Sequence, residues 1–157
     1  MPEPSFIAEN SRFFENLLEH RFIYDLGRHL VLQEPPRLLN VMRSEVDAFG
    51  FDLALSVKDI TRYVQMKTRS GKDPTNPYAI SDALWSLPEA CVIWLRYNQV
   101  TIEPVSYHML GDPLPDLDKF RCSKKRRGFR SVRMSQANHR NLDLPALAEL
   151  LFGSRST

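Results

Sequence analysis

The sequence predicts a single mixed α/β domain, and three patterns carry that prediction. A helical period runs over residues 7–32, an alternating two-strand pattern fills 51–67, and a near-continuous apolar run, ACVIWLRY, occupies 90–97. A chain of 157 residues is long enough for one domain that buries about 68–70% of its unfolded surface, so residues 1–157 are read as one unit.

In the first segment Phe14, Leu17, Leu18, Phe22 and Leu26 share a stripe, with Glu15, Glu19 and Arg28 elsewhere around the barrel, the pattern of an amphipathic helix. Asn10 or Ser11 can cap its start, Gly27 can end or bend it, and Glu34-Pro35-Pro36 stops it. Residues 38–46 read as a strand, or a helical turn, leading into a turn at 47–50.

The hairpin at 51–67 (FDLALSVKDITRYVQMK) fixes its own register. Side chains alternate faces along a strand. Phe51, Leu53, Leu55 and Val57 form an apolar row, with Asp52, Ala54 and Ser56 opposite. Ile60, Arg62, Val64 and Met66 share one face of the second strand, and Thr61, Tyr63, Gln65 and Lys67 the other. A two-residue loop at Lys58-Asp59 pairs Val57 with Ile60, Leu55 with Arg62, Leu53 with Val64, and Asp52 with Gln65; a four-residue loop keeps the same pairs. An odd loop would mismatch the apolar rows. Directly opposed Cβ atoms lie roughly 4.5–5.5 Å apart, so Asp52 and Gln65 can share a ligand, with Lys67 one diagonal step away.

Residues 70–77 (SGKDPTNP) are a polar loop, and 78–87 suit a short helix ending before Pro88. The 90–97 run is a strand covered on both faces. Residues 100–109 make another strand, where Pro104 signals an edge or a break. A proline-rich loop follows at 111–118, then a basic segment at 119–140, then a short amphipathic helix at 144–152 stopped by Gly153. The order is α-β-β-β-α-β, followed by a further strand, the basic segment and a C-terminal helix.

Composition is globular, 43% hydrophobic and 25% charged. No apolar run reaches the roughly 18–20 residues of a membrane span, so no membrane partner is expected. MPEPSFIAEN shows neither a basic n-region nor an apolar h-region, and Cys91 and Cys122 make no disulfide framework; a reducing, cytoplasmic setting is expected. The four histidines have no metal-ligand spacing, and no G-x-S-x-G, P-loop or dinucleotide fingerprint is present. Net charge is only +2, yet nine of the 21 basic residues and none of the 19 acidic ones fall in 119–140. A basic segment on an acidic body suits a polyanionic partner. Lys124, Lys125, Arg126, Arg127, Arg130 and Arg133 are the candidate phosphate contacts, and Phe129 can stack or wedge.

The helix, the hairpin and the following strand together resemble the PD-(D/E)XK nuclease superfamily, over about residues 10–97. The motif half carried by Asp52 follows Gly50-Phe51, and the second half is Gln65-Met66-Lys67, with Gln where many members carry Glu. The resemblance implies a restriction-endonuclease-like α/β core, a mixed β-sheet flanked by helices. It implies a divalent-metal-dependent nuclease that hydrolyses phosphodiester bonds, in DNA, with Mg²⁺ or Mn²⁺ as cofactor. Asp52, Gln65, Lys67 and a first-helix glutamate, Glu15 or Glu19, would be the catalytic set. Metal ligands would be Asp52, Gln65, the Met66 backbone carbonyl and Glu19; Glu45 and Asp47 would support them. Two copies, a homodimer, would serve a double-strand break. The alternative is an inactive nuclease-fold module that binds nucleic acid or a protein partner.

Overall fold

The computed structural model describes residues 2–46, 48–71 and 76–153. The Asp47 reading, and the 72–75 part of the polar loop, lie outside the described residues.

The expected first helix is two. Helix α1 (Pro4–Glu9) ends at Asn10 and α2 (Ser11–Val31) follows at once. Asn10 does not cap α2 with its side-chain oxygen; its Nδ2 donates back to the Phe6 carbonyl at 2.8 Å. Gly27 does not end the helix, which continues to Val31. The buried face repeats every four residues: Phe14, Leu18, Phe22, Leu26 and Leu30. Leu17, expected on that stripe, is exposed with Phe13, Tyr24 and Val31. At about 100° per residue those four fall on the side opposite the core, so α2 is apolar on two faces.

Next come β1 (Asn40–Arg43), β2 (Leu53–Val57), β3 (Ile60–Ser70) and β4 (Tyr78–Ser81), then a 3₁₀ helix (Asp82–Ser86). They are followed by β5 (Ala90–Asn98), β6 (Glu103–Leu110), β7 (Arg121–Cys122), β8 (Phe129–Val132), β9 (His139–Leu142) and α3 (Leu144–Phe152). The main sheet has six strands in the order β1-β2-β3-β5-β6-β9. All its pairs are antiparallel except β3 with β5. A mixed six-stranded sheet with helices makes this an α/β fold.

The hairpin has the register that apolar matching demands: Val57 opposite Ile60, Leu55 opposite Arg62, Leu53 opposite Val64. Lys58 takes a left-handed φ of 55° in the two-residue loop, and Ser56 and Thr61 hydroxyls meet across the pair at 2.9 Å. Phe51 departs from the apolar row. It precedes β2, and its ring packs against Tyr63, centroids 5.1 Å apart, on the other face.

The helix expected over 78–87 is β4 plus a 3₁₀ turn. β4 pairs antiparallel with β8, which pairs with β7, giving a second, three-stranded sheet. The backbone groups of Tyr78–Ser81 thus find partners some fifty residues away instead of in a helical turn. Ser81 then caps the 3₁₀ helix by accepting from the Ala83 N–H. Pro104 lies at the start of β6, opposite Tyr97 and beside a bulge, before the stretch that pairs with β9; there its missing N–H costs no inner ladder bond.

Both faces of the sheet are covered. On one side Leu18, Phe22, Leu53, Leu55, Ile93 and Leu95 pack with the buried residues of α3. On the other Val92 and Trp94 pack against Ile80, Leu84, Phe120 and Val132. This explains the uninterrupted apolar run of β5, as expected for a strand covered twice. Arg62 sits at an inward position of β3 with 3% of its surface exposed. Its Nε and Nη2 donate to the carbonyls of Leu151 and Leu150, and Nη1 to Glu89. Arg37 Nη1 donates to the Phe152 carbonyl at 2.6 Å. Two guanidinium groups therefore satisfy the open C-terminal carbonyls of α3 and complement its dipole. Among the described residues no helix is long and apolar enough to cross a membrane.

Candidate active site

The cleft that matters forms where β2 begins and β3 runs on past it. Gly50 makes the entry turn with a φ of +75°, and a Cβ there would lie 2.7 Å from the Ser81 Cβ. Only glycine tolerates both the conformation and the approach, so the turn is seated against the start of the 3₁₀ helix. Asp52 follows. Its backbone N–H donates to the Val64 carbonyl at 2.8 Å, and its Oδ2 accepts from Gln65 Nε2 at 3.0 Å and from the Met66 N–H at 2.8 Å. The opposition of Asp52 and Gln65 predicted from register is therefore a direct contact.

Strand geometry supplies more. The N–H and C=O of one strand residue point to the same edge. The Met66 N–H faces Asp52, so its carbonyl faces that edge too, beyond the last β2 pair at Leu53. With Nε2 donated to Asp52, Oε1 is the Gln65 atom left for a ligand. Lys67 is half-buried, lines the same cleft and makes no ion pair among the described residues.

The cleft encloses about 500 Å³. One wall is the N-terminal half of α2, with Arg12, Glu15 and Glu19; another is Arg43 and Ser44 at the end of β1; Tyr78 of β4 closes a third side. Both first-helix glutamates thus reach the cleft. They differ in state: Glu19 is paired with Arg43, whereas Glu15 is exposed and has no ion pair among the described residues. The Glu19–Arg43 pair needs α2 to lie across β1, a packing that no local pattern announces. Arg12 and Tyr78 were not among the residues singled out from sequence. Arg12 carries no signal beyond its charge near a helix start, and the sequence pattern places Tyr78 in a helix.

The donor set is hard oxygen: carboxylate, carboxamide and backbone carbonyl. Among the described residues no group of three or more His, Cys, Asp or Glu could hold a metal. These residues fit Mg²⁺ or Mn²⁺ that keeps several waters and takes one or two carboxylates plus substrate phosphate, and they do not fit a site closed by protein ligands.

The basic segment divides. Arg130 Nε reaches Asp82 at 3.3 Å and its Nη1 donates to the Phe120 carbonyl at 3.0 Å. It ties the small sheet together instead of facing solvent. The Arg126 guanidinium lies 3.7 Å from the Phe129 ring centroid, so Phe129 carries a cation from its own chain. Lys124, Lys125 and Arg127 are exposed in the β7–β8 connection, and Arg133 is exposed after β8. β4 joins this hairpin to the cleft: Ser81 pairs with Phe129 near the basic run, and Tyr78 with Val132 next to Arg133.

Comparison with protein-family models, curated proteins and solved structures finds no match to this chain.

Proposed function

We propose that the chain is a divalent-metal-dependent nuclease with a restriction-endonuclease-like core, hydrolysing phosphodiester bonds in DNA. The observation that carries the reading is the contact of Asp52 with Gln65 and the Met66 N–H, in one cleft with Lys67. Asp52, Gln65 Oε1 and the Met66 carbonyl would hold Mg²⁺ or Mn²⁺, with Glu15 or Glu19 reaching it through water. When bound, such an ion lowers the pKa of a water and neutralises charge on a phosphate oxygen.

The side chains do the rest. The bonds from Gln65 and from the Met66 N–H fix the orientation of the Asp52 carboxylate. Lys67 sets an ammonium where charge grows on a phosphate under attack, or orients the attacking water. The exposed cations of the β7–β8 connection would hold the DNA backbone.

A second reading has its own support. Gln65 brings no charge, and Arg43 already neutralises Glu19. Both favour an inactive nuclease-fold module that binds nucleic acid or a protein. Incubating the pure protein with supercoiled plasmid in Mg²⁺ or Mn²⁺ separates the two. Nicking that stops with EDTA and is lost in Asp52→Ala and Lys67→Ala is expected; nicking that persists in both variants removes the site assignment. Gln65→Glu is expected to raise activity at low Mg²⁺ by strengthening ion binding.

A further inference from the structure

The alternation that puts Gln65 and Lys67 on one face continues to the end of β3. Lys67 and Arg69 share that face, and the parallel pairing with β5 sets Lys67 beside Trp94 and Arg69 beside Arg96. The pairing with β6 extends the two rows to His108 and Ser106. Directly opposed residues on neighbouring strands lie on one face of a sheet, so the last row reads Arg69, Arg96, Ser106 and contains no carboxylate. Neighbouring strands are about 4.7–4.9 Å apart, and the Lys67 row lies about 6.6 Å before the arginine row along β3.

The two rows are covered differently. Trp94 is fully buried, with Tyr78 packed on its ring, centroids 6.1 Å apart. Arg69 and Arg96 are half-buried, and neither has an ion pair among the described residues. Arg69 has the Tyr78 phenol near it. Burial pushes that phenol up and Arg69 draws it back; near neutral pH it stays protonated and brings Arg69 no negative charge. Arg62, on the other face of β3, is instead met by two carbonyls and Glu89. Two cations on adjacent strands repel each other, and an anion seated between them relieves that repulsion.

We propose that Arg69 and Arg96 together hold one phosphate of a nucleic-acid backbone, next to the phosphate presented to Asp52 and Lys67. The inference rests on the nuclease reading for what lies beside Lys67. Guanidinium groups suit the role because their fork of donors matches phosphate oxygens, and contact to phosphate grips the backbone whatever the bases.

The test measures binding without cleavage. The Kd of a short fluorescein-labelled DNA duplex is followed in EDTA across a series of NaCl concentrations. Arg69→Gln and Arg96→Gln are each expected to weaken binding about ten-fold. The double variant is expected to reduce the slope of log K against log salt by about 0.9, the value for one phosphate contact. The melting temperature of free Arg96→Gln should be unchanged or higher, since the substitution removes a repulsion. Arg28→Gln, on α2 across the other face of the sheet, is the control and should leave affinity and slope alone. Wild-type affinity in Arg96→Gln overturns the inference, as does a lowered melting temperature, which would make Arg96 a structural arginine. A double-variant slope that is unaltered, or reduced by about 1.8 as for two separate phosphates, overturns the shared position. Plasmid cleavage in Mg²⁺ is scored separately. Cleavage without these binding effects overturns the arginine pair alone; the binding effects without cleavage overturn the nuclease reading and support the pair.

Discussion

The cleft at the head of β2 and the basic hairpin β7–β8 both concentrate charge, and they use it differently. In the cleft, two carboxylates are held in place: Asp52 is bonded by a main-chain N–H and a carboxamide, and Glu19 is met by Arg43. On the hairpin, two of the arginines serve the fold, Arg130 as a tether and Arg126 over Phe129. The remaining cations face solvent on a loop. A reacting centre needs fixed atoms, whereas attraction to a polyanion needs only cations within a Debye length. Charge density alone does not separate the two regions; what separates them is that the cleft fixes carboxylates beside the hairpin β2–β3, whereas the β7–β8 connection presents only cations.

The comparison breaks most visibly in kinetics. Replacing Lys124, Lys125 and Arg127 with Gln is expected to reduce the salt slope of duplex binding by up to about 2.7, at about 0.9 per phosphate. Cleavage at saturating DNA should stay unchanged, while Lys67→Ala lowers it by about 10²–10³-fold. A fall in saturated cleavage for the hairpin variant would join it to the reacting centre and end the distinction.

The two cysteines sharpen the contrast by pH. Cys122 lies exposed on β7, and Cys91 is buried on β5, where burial pushes its thiol up from 9.0 to about 12. The unfolded chain releases this proton near pH 9 and the native state holds it to about pH 12. Stability from this group is therefore complete below pH 9 and falls as pH rises to 12, by up to about 4 kcal/mol. Urea melts at pH 8–11 should show a shallower alkaline decline in Cys91→Ala than in the wild type. Iodoacetamide at pH 8 should label one thiol in the native protein and two after unfolding.

The smallest effect concerns the tether. Arg130→Gln is expected to lower stability by about 1.5–3 kcal/mol, the range for hydrogen bonds to a charged group, read as a lower urea midpoint. The salt slope should not move, since Arg130 is engaged within the chain. A slope reduced by about one unit with an unchanged midpoint would return Arg130 to the DNA-facing set.

Much of the cleft was legible because the hairpin is local. Alternation and an even loop leave one register, and Asp52, Gln65 and Met66 meet as its consequence. The α3 helix was legible from its period and from Gly153. What sequence withheld depends on distant partners. Tyr78–Ser81 is a strand because Phe129–Val132 pairs with it; four residues carry too little pattern to say so. Phe51 left its row because it stands outside β2, where the turn at Gly50 redirects it. Arg62 shares a row with Ile60, Val64 and Met66, and its partners there, Glu89 and the C-terminus of α3, are distant in sequence.

That last contact has a consequence for how the protein is made. The partners of Arg62 on α3 lie 88 and 89 residues further along the chain. While the ribosome has yet to release α3, Arg62 can keep Glu89 but lacks its two carbonyl acceptors, and the apolar face that α3 covers stays open to water. The sheet is thus completed only when the last described helix arrives. A product truncated before Leu144 would present an unfinished core to cellular proteases.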